Sequence, residues 1–403
     1  MTRPDPARLE RWRDETPGCR VRNHLNNAGA ALMPAPVLAA IQEHLRLEAE
    51  IGGYEAEAAR MEALDQGYED LAALLGTRAR NIAVVANATA GFVQALSAFD
   101  FAPGDVILTS RCDYTSNQIQ YLALRQRTGV EIVHAPDLPE GGIDPQAVRE
   151  ILRSRRCRLV ALSWVPTNSG LVQEVEAVGE VCETAGVPYL VDACQAVGQI
   201  PIAVERLRCD YLSATARKFL RGPRGIGLLY ASDRALARGD YPLYVDMRGA
   251  RWVAPGAFEV LPTARRFEDW EFPHALVLGQ GAAARYALEV GIATAQAAAW
   301  RLAARLREGL AGMPGVRVLD RGRTRCALVT LTLAGVEADR LVRELAARRI
   351  NVVATRREFA IYDFDEKGVR DGIRVSPHYY NSDAEIDEFL ACIRSFADAS
   401  GSR

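Results

Sequence analysis

Short apolar runs alternate with longer amphipathic stretches through much of the chain. Runs of β-branched and other apolar residues predict strands at 82–85, 106–109, 131–134, 159–164, 189–192 and 211–214. Helical stretches separate most of these runs, and this order is typical of right-handed βαβ units in a mostly parallel sheet. Because the runs are apolar almost throughout, we expect helices to cover both faces of the sheet.

The flanking segments predict further helices and a second, smaller unit. Helices are predicted at 36–51 and 57–75, and a long alanine-rich helical stretch at 273–310 follows an irregular region at 231–272. Candidate strands at 327–333 and 373–376 accompany amphipathic helices at 338–348 and 383–395. We therefore predict an α/β fold with an N-terminal segment (1–30), a large domain (31–290) and a small C-terminal α+β domain (291–403), which part of the N-terminal segment joins.

Composition and charge exclude several classes of protein. The 403 residues are 49% hydrophobic and 25% charged with a net charge of −2, which lacks the basic excess that nucleic-acid binding requires. No segment approaches 18 uncharged apolar residues, so we expect no membrane association. The eight cysteines form no CxxC pair, which favours reduced thiols in the cytoplasm and predicts no metal site. Neither a GxGxxG nor a GxxxxGK[ST] motif indicates a nucleotide site.

One lysine lies at the tip of a predicted strand. The apolar run 209–214 leads to polar Thr215, Arg217 and Lys218, and a Gly/Pro-rich turn then enters a second apolar run at 226–230. A lysine desolvated at such a position has a lowered pKa and can be the amine of a Schiff base. A solvated loop lysine is the ordinary alternative, but Asp192 and Gln195 at the end of another apolar run favour an active site.

These motifs together resemble a known family. Asp192 with Gln195, the sequence Ser-Ala-Thr-Ala-Arg-Lys at 213–218 and the sequence Gly-Pro-Arg-Gly-Ile-Gly at 222–227 resemble the fold type I pyridoxal-phosphate enzymes. Within these enzymes the chain is similar, from about residue 25 to 396, to the class V aminotransferase family. That family includes cysteine desulfurases, selenocysteine lyases, isopenicillin N epimerases and C–S lyases of the ergothioneine pathway. The resemblance implies bound pyridoxal 5'-phosphate, a sheet of the seven-stranded type and a homodimer.

The resemblance also implies roles for the residues around the cofactor ring. Lys218 corresponds to the lysine that binds the cofactor and, once released, acts as the base. Asp192 corresponds to the carboxylate that faces the pyridine nitrogen and keeps it protonated, although a helix N-cap is an equally good interpretation of its position. Gln195 resembles the residue that hydrogen-bonds to the ring hydroxyl.

The phosphate group needs a cluster of donors. A helix N-terminus supplies free backbone amides, and Ala88 with Thr89 precedes an apolar helix in the position of the family's phosphate-binding threonine. The alternative role for Thr89 is an ordinary N-cap. Thr215 and Arg217 are further phosphate candidates. Many relatives carry histidine at the position of Arg217, so the usual role of that histidine is unfilled here.

Aromatic and amide side chains are expected next to the ring. Tyr114 is our candidate for stacking on the outer face, with Thr115 as the alternative. After the strand that ends near residue 164, Asn168 or its neighbour Thr167 is expected to reach the ring hydroxyl or the substrate.

The substrate-binding candidates come from four separate segments. Arg374 matches the family's arginine for the substrate carboxylate, a group that a guanidinium binds in a bidentate manner. Asn27 belongs to a segment that lines the pocket in relatives, and His378 could flank the same pocket or merely pack in the small domain. The loop that carries Arg248 reaches a neighbouring subunit's site in relatives. The substrate is thus expected to be a small amino acid.

Several reactions remain open at this point. The sequences of residues 217–225, 266–271 and 378–381 resemble the epimerase-like and C–S lyase-like branch of the family. The preferred prediction is therefore a C–S β-lyase that acts on a cysteine conjugate or its sulfoxide. An epimerase, with Tyr114 or His378 as second acid/base, and an aminotransferase are the alternatives. A persulfide-forming desulfurase is disfavoured because residues 350–368 contain no cysteine. A non-catalytic relative is disfavoured because Lys218, Asp192 and Arg374 are all present.

Overall fold

The computed structural model describes residues 5–401 as an α/β chain with two main sheets. The strands are β1 Asn23–His24, β2 Ile82–Val85, β3 Val106–Ser110, β4 Glu131–Ala135, β5 Cys157–Ser163, β6 Tyr189–Asp192, β7 Tyr211–Thr215, β8 Gly227–Ala231, β9 Ala250–Ala254, β10 Ala257–Val260, β11 Val316–Val318, β12 Val329–Leu333, β13 Ile350–Asn351, β14 Val353–Arg356 and β15 Asp371–Val375.

Helices surround these sheets. They are α1 Pro6–Asp14, α2 Ala35–Ile51, α3 Gly53–Ala59, α4 Met61–Leu75, α5 Ala88–Ser97, α6 Thr115–Thr128, α7 Pro145–Ser154, α8 Val175–Ala185, α9 Val204–Leu207, α10 Asp233–Ala237, α11 His274–Val290, α12 Ile292–Leu310, α13 Ala338–Ala347, α14 Ile361–Lys367 and α15 Asp383–Gly401. Short 3-10 helices lie at Pro17–Arg20, Ala79–Asn81, Ala264–Phe267 and Arg357–Phe359.

The large sheet has seven strands in the order β2-β8-β7-β6-β5-β3-β4. Strand β8 runs antiparallel to both of its neighbours, and the remaining pairs are parallel. Alternate residues of β5 enter different apolar clusters: Leu159 and Ala161 pack into one, and Val160 and Leu162 into the other. Both faces of the sheet are therefore covered, and the predicted α/β fold with a mostly parallel sheet is confirmed.

A second sheet of four antiparallel strands, in the order β11-β12-β15-β14, follows in the C-terminal part. Strand β1 pairs with β13, so the N-terminal segment joins this part of the chain. The domain limits at residues 30 and 290 stay a proposal, and residues 1–4 and 402–403 of the outer segments lie outside the described residues. No helix within residues 5–401 is long and apolar enough to cross a lipid bilayer.

Some predicted elements differ from the structure. The helical stretch at 273–310 is two helices, because Gly291 adopts a left-handed φ of 83° between α11 and α12. The helix expected at 57–75 is likewise divided, at Arg60, into α3 and α4. The region 231–272, expected to be irregular, contains α10 and the β9–β10 hairpin.

A tight backbone contact holds the turn after β6 against the Lys218 loop. Gly198 has a φ of 90°, and a Cβ atom there would lie 2.3 Å from the carbonyl carbon and oxygen of Phe219. Neither contact atom belongs to a flexible side chain, so the backbone itself would have to move. The close approach fixes the Lys218 loop relative to the end of β6.

Replacing Gly198 by alanine is therefore expected to destabilise the protein by about 3 kcal/mol or more, because backbone strain and steric overlap add. Gly239→Ala is the matched control, since Gly239 has a φ of 80° with no atom within 4 Å of the added Cβ, and strain alone should cost about 1 kcal/mol. Urea unfolding followed by circular dichroism compares the two variants. Equal midpoints would show that the backbone contact does not matter.

Candidate active site

Polar side chains collect at the carboxyl edge of the large sheet. The adjacent parallel strands β5, β6 and β7 end at Ser163, Asp192 and Thr215. The carboxyl ends of parallel strands are where α/β sheets bind their ligands. Lys218 follows β7 after two residues, so the predicted lysine lies at this edge.

Lys218 is partly buried beside groups of both charges. Burial lowers the pKa of the Lys218 amine, and Arg217 and Arg374 lower it further, whereas Cys194 and Asp192 act in the opposite direction. Its Nζ lies 5.9 Å from the centre of the Tyr114 ring. The lowered pKa enlarges the neutral fraction of the amine, which is the form that acts as a nucleophile or a base.

Asp192 is held in a fixed orientation. Its Oδ2 atom lies 3.2 Å from Ser163 Oγ and accepts a hydrogen bond from Asn117 Nδ2 at 3.2 Å, and its Oδ1 atom accepts one from the Cys194 amide at 2.9 Å. The carboxylate is 6% exposed. It thus acts as more than the N-cap that its position also allowed, because side chains from β5 and α6 orient it.

A second buried carboxyl group, Asp113, supports this arrangement. Asp113 Oδ1 lies 2.5 Å from Ser163 Oγ and accepts hydrogen bonds from Asn117 Nδ2 at 3.1 Å and the Tyr114 amide at 2.7 Å. Burial raises the pKa of the Asp113 carboxyl group, and the negative charge of Asp192 raises it further. Ser163 therefore stands between two carboxyl groups that would repel each other if both were ionised.

Several buried polar atoms at this edge lack a partner. Gln195 Nε2 donates to the Ala28 carbonyl at 3.1 Å, but its Oε1 has no hydrogen-bond partner, and neither has Ser213 Oγ, next to Asp192 on β7. Asn168 accepts a bond from Thr355 Oγ1 at 2.8 Å, while its Nδ2 is unpartnered. Because buried polar groups are normally paired, these atoms suit a polar ligand such as the pyridoxal ring.

The predicted phosphate end is built from a helix N-terminus. Helix α5 begins at Ala88 after the N-cap Asn87, and Thr89 in its first turn is exposed. A Cβ atom at Gly227 would lie 2.9 Å from the Ala88 amide nitrogen, so glycine lets the end of β7 at Thr215 approach this helix. The first-turn amides and dipole of α5 thus fit a phosphate group.

Arg217 contacts the N-terminal segment. Its guanidinium donates to the Gly29 carbonyl, and its amide oxygen accepts from the Ala31 amide at 2.8 Å. Burial lowers the pKa of Arg217, and Arg224 lowers it further. Arg217 therefore ties the N-terminal segment to the lysine loop. A phosphate contact for Arg217 stays a prediction.

Arg374 is a buried cation without a counter-charge. It is 7% exposed on β15, Nη1 donates to the Thr167 carbonyl at 3.0 Å, and Nε has no partner. Among residues 5–401 no carboxylate pairs with it. Burial, together with Arg217, lowers the pKa of Arg374 to about 10, so it remains charged at neutral pH. A buried unpaired cation is costly unless an anion binds there.

Three predicted substrate residues are engaged elsewhere. Asn27 donates to the Ser376 carbonyl at 2.7 Å and accepts from the Tyr380 hydroxyl. His378 is fully buried with both ring nitrogens in contact, and burial holds its pKa well below the ordinary value. Arg248 pairs with Glu268 at 2.9 Å, away from Lys218. Within one chain none of these contacts involves Lys218, and the substrate roles of these three residues stay predictions.

Sequence reasoning missed the residues that orient Asp192. Ser163 and Asn117 contact Asp192 directly, and Asp113 contacts both of them, but the sequence assigned none of the three a role. The signal in the sequence was a polar residue, Ser163, near the end of an apolar run. The structure then pairs Ser163 with Asp192 on the neighbouring strand.

Comparison with known proteins identifies the class. The model of the aminotransferase class-V family matches residues 23–389, so the chain belongs to that family. It is 28% identical over 404 residues to a probable hercynylcysteine sulfoxide lyase of Mycobacterium tuberculosis, covering 98% of this chain and 95% of that protein.

Two further comparisons extend this result. A probable cysteine desulfurase of Mycolicibacterium paratuberculosis is 28% identical over 354 residues, which are 86% of this chain but only 50% of that relative. A solved variant of C-DES, with glycine covalently linked to its pyridoxal-phosphate cofactor, has a TM-score of 0.84 at 25% identity, over 95% of this chain and 98% of that chain. The chain is a pyridoxal-phosphate-dependent enzyme of fold type I.

Ser163 offers a test of the carboxylate arrangement. Ser163→Ala removes the hydroxyl between Asp113 and Asp192, and we expect cofactor affinity to fall about tenfold, equivalent to about 1.4 kcal/mol. Ser154→Ala is the matched control, because Ser154 is exposed and bonds only within its own helix. Equilibrium dialysis with absorbance of the bound cofactor measures both. Wild-type affinity in Ser163→Ala would show that Ser163 does not support the site.

Proposed function

We propose that this enzyme is a C–S β-lyase that acts on a cysteine conjugate or its sulfoxide. The observation that carries the proposal is a cavity of about 300 Å³ that joins Tyr114 and Thr167 to Arg374 and contains no cysteine among its described lining residues. Its other wall comes from β14 and from Phe359. The sulfoxide lyase relative, similar over nearly the whole chain, supports the same reaction class.

Arg374 positions the substrate in this proposal. Its unpartnered Nε and buried guanidinium bind the α-carboxylate at the wall of the cavity, where the Arg374 charge lacks a protein partner. The rest of the conjugate then extends along Tyr114, Thr115 and Phe359 toward the cavity opening. Bound pyridoxal phosphate supplies an electron sink for the negative charge left at the substrate Cα.

Lys218 moves the proton. Its Nζ, with a lowered pKa, accepts the Cα proton, and the Cβ–S bond breaks with its electron pair leaving on sulfur. A sulfoxide leaves as a sulfenate, which is a better leaving group than a thiolate. Hydrolysis of the remaining three-carbon unit gives pyruvate and ammonia. Asp192, held by Ser163 and Asn117, is placed to keep the cofactor nitrogen protonated.

An epimerase is the second candidate because Tyr114 borders the same cavity. Epimerisation requires a second acid/base opposite Lys218. The centre of the Tyr114 ring lies 5.9 Å from Lys218 Nζ, and Tyr114 lines the cavity. His378 suits this role poorly, since both of its ring nitrogens are in contact and its pKa is depressed. Nothing in the geometry favours transamination in particular.

Two properties accompany the proposal. We propose a homodimer, in which the loop that contains Arg248 contributes to the partner's site. We also propose that the enzyme works in the cytoplasm on a free amino acid, since all eight cysteines are free thiols.

A substrate series tests the reaction class. We expect the holoenzyme to convert S-substituted cysteines, and their sulfoxides faster, with pyruvate and ammonia formed in equal amounts. Lys218→Ala should lose about 1,000-fold or more of this activity because the base is gone. A change in the cofactor absorbance without pyruvate, together with deuterium entering Cα in heavy water, would instead establish the epimerase.

Arg374→Gln tests the carboxylate site. We expect kcat/KM to fall about 100-fold or more, because a buried charge-assisted pair with the substrate is lost, while the cofactor absorbance is kept. Arg356→Gln on the neighbouring strand is the matched control, since Arg356 is exposed and pairs with Asp339 at 2.8 Å. Steady-state kinetics compare the variants. If both retained wild-type kcat/KM, the substrate carboxylate would bind elsewhere.

A further inference from the structure

A group of metal-ligating side chains lies between two helices outside the lysine site. His44 and Glu48 are one turn apart on α2, and His274 is the first residue of α11. One ligand atom from each of these residues lies within 4.8 Å of the other two. We propose that His44, Glu48 and His274 bind one divalent transition metal ion, with zinc as the favoured metal.

The distances within the group suit a bound ion. Donors around a tetrahedral zinc ion stand about 3.4 Å apart, given bonds of about 2.0–2.1 Å. His44 Nε2 lies 3.0 Å from Glu48 Oε1, so this pair already has such a spacing. The separations of up to 4.8 Å close with small side-chain rotations, because Glu48 and His274 keep some freedom at the protein surface.

The imidazole nitrogens are the second, independent observation. His44 is completely buried, and neither of its ring nitrogens has a hydrogen-bond partner, although Glu48 is close. His274 Nε2 lies 3.2 Å from Glu57 Oε1 and is also unpartnered by hydrogen bonding. Both histidines thus place an imidazole nitrogen 3.0–3.2 Å from a carboxylate oxygen. Because buried polar atoms are normally paired, the unpartnered Nδ1 of His44 and the close imidazole–carboxylate contacts are accounted for by an ion bound within the group.

The charge of the surroundings agrees with a cation. Glu48 and Glu57 bring two carboxylates, and Glu271 borders the same groove. Two cations lie nearby and each has a carboxylate partner: Arg60 lies 3.6 Å from Glu43, and Arg248, which also lines the groove, lies 2.9 Å from Glu268. Imidazole with carboxylate favours zinc over calcium or magnesium, which prefer oxygen ligands alone.

An entry path exists on one side. A groove of about 290 Å³ reaches His274 and Glu57 from the surface and is bordered by Tyr54 and Trp270. Glu57 or water can supply the fourth ligand from this side. Because helices α2 and α11 pack together here, the ion would link these two helices to each other. The group shares no residue with the candidate site around Lys218, and zinc binding is measured without substrate, so its test does not depend on the proposed reaction.

Zinc titration of the tag-free holoenzyme tests the proposal. After dialysis against a chelator, zinc is added in competition with a chromophoric indicator, and we expect one equivalent per chain to bind. His274→Gln should weaken this binding about 100-fold, as should the buried variant His44→Gln. His134→Gln is the matched control, because His134 is half-buried and bonds to Gln118 at 2.9 Å outside the group.

Two further readouts separate this site from thiol binding and from misfolding. Cobalt bound in place of zinc should show absorption bands of nitrogen and oxygen ligands without a thiolate charge-transfer band. Separately, zinc should raise the melting temperature of the wild type and of His134→Gln, but not that of His274→Gln. Cofactor absorbance confirms that each variant is folded. Zinc binding that is absent in wild type, unchanged in both histidine variants or accompanied by a thiolate band would overturn the proposal.

Discussion

A buried guanidinium at Arg221 holds three separate segments around Lys218. Its Nη2 donates to Thr16 Oγ1 at 2.5 Å, its Nε donates to the Leu32 carbonyl at 2.9 Å, and its Nη1 donates to the Tyr379 hydroxyl. The Arg221 amide closes the turn on the Lys218 carbonyl at 2.9 Å. The N-terminal segment, the lysine loop and the C-terminal part are thus joined through the guanidinium of Arg221. Because a buried charge without partners is costly, displacing any one of these segments would destabilise the contacts of the others.

The site itself carries an excess of positive charge. Arg217 lowers the pKa of both Lys218 and Arg374, and Arg374 lowers the pKa of Lys218 as well. Asp192 is the one carboxylate that raises the pKa of Lys218. Such an arrangement is unfavourable in an empty protein and favourable once anions bind. In the proposed function, a phosphate at the start of α5 and a substrate carboxylate at Arg374 would supply those anions. The unpaired cations, which are costly in the empty protein, would then favour binding of amino acids over neutral amines.

The local pattern of apolar and polar residues was sufficient to predict the large sheet and to put Asp192 and Lys218 near strand ends. It was not sufficient to predict groups of side chains that come from distant parts of the sequence. Strands 82–85 and 189–192 were predicted with their observed limits, because apolar runs between turn residues leave little choice. The break at Gly291 was missed because alanine-rich sequence on both sides continues the helical period. The Asp113–Ser163–Asn117 arrangement and the His44–His274 group join residues far apart in sequence, and no periodicity encodes such a meeting.

The fate of sulfur follows from what lines the cavity. In a persulfide mechanism a cysteine must meet the departing sulfur, and the described walls offer Tyr114, Thr355 and Phe359 instead. Cys194 is the thiol beside Lys218, but burial raises its pKa and its position next to Asp192 raises it further, so it stays protonated and a poor nucleophile. In the proposed lyase reaction, sulfur that leaves the substrate would meet no thiol among the described lining residues of this cavity and would depart as a small molecule through the cavity opening. The same cavity, whose described lining has no cysteine to accept sulfur, has room for a bulky substituent on the substrate.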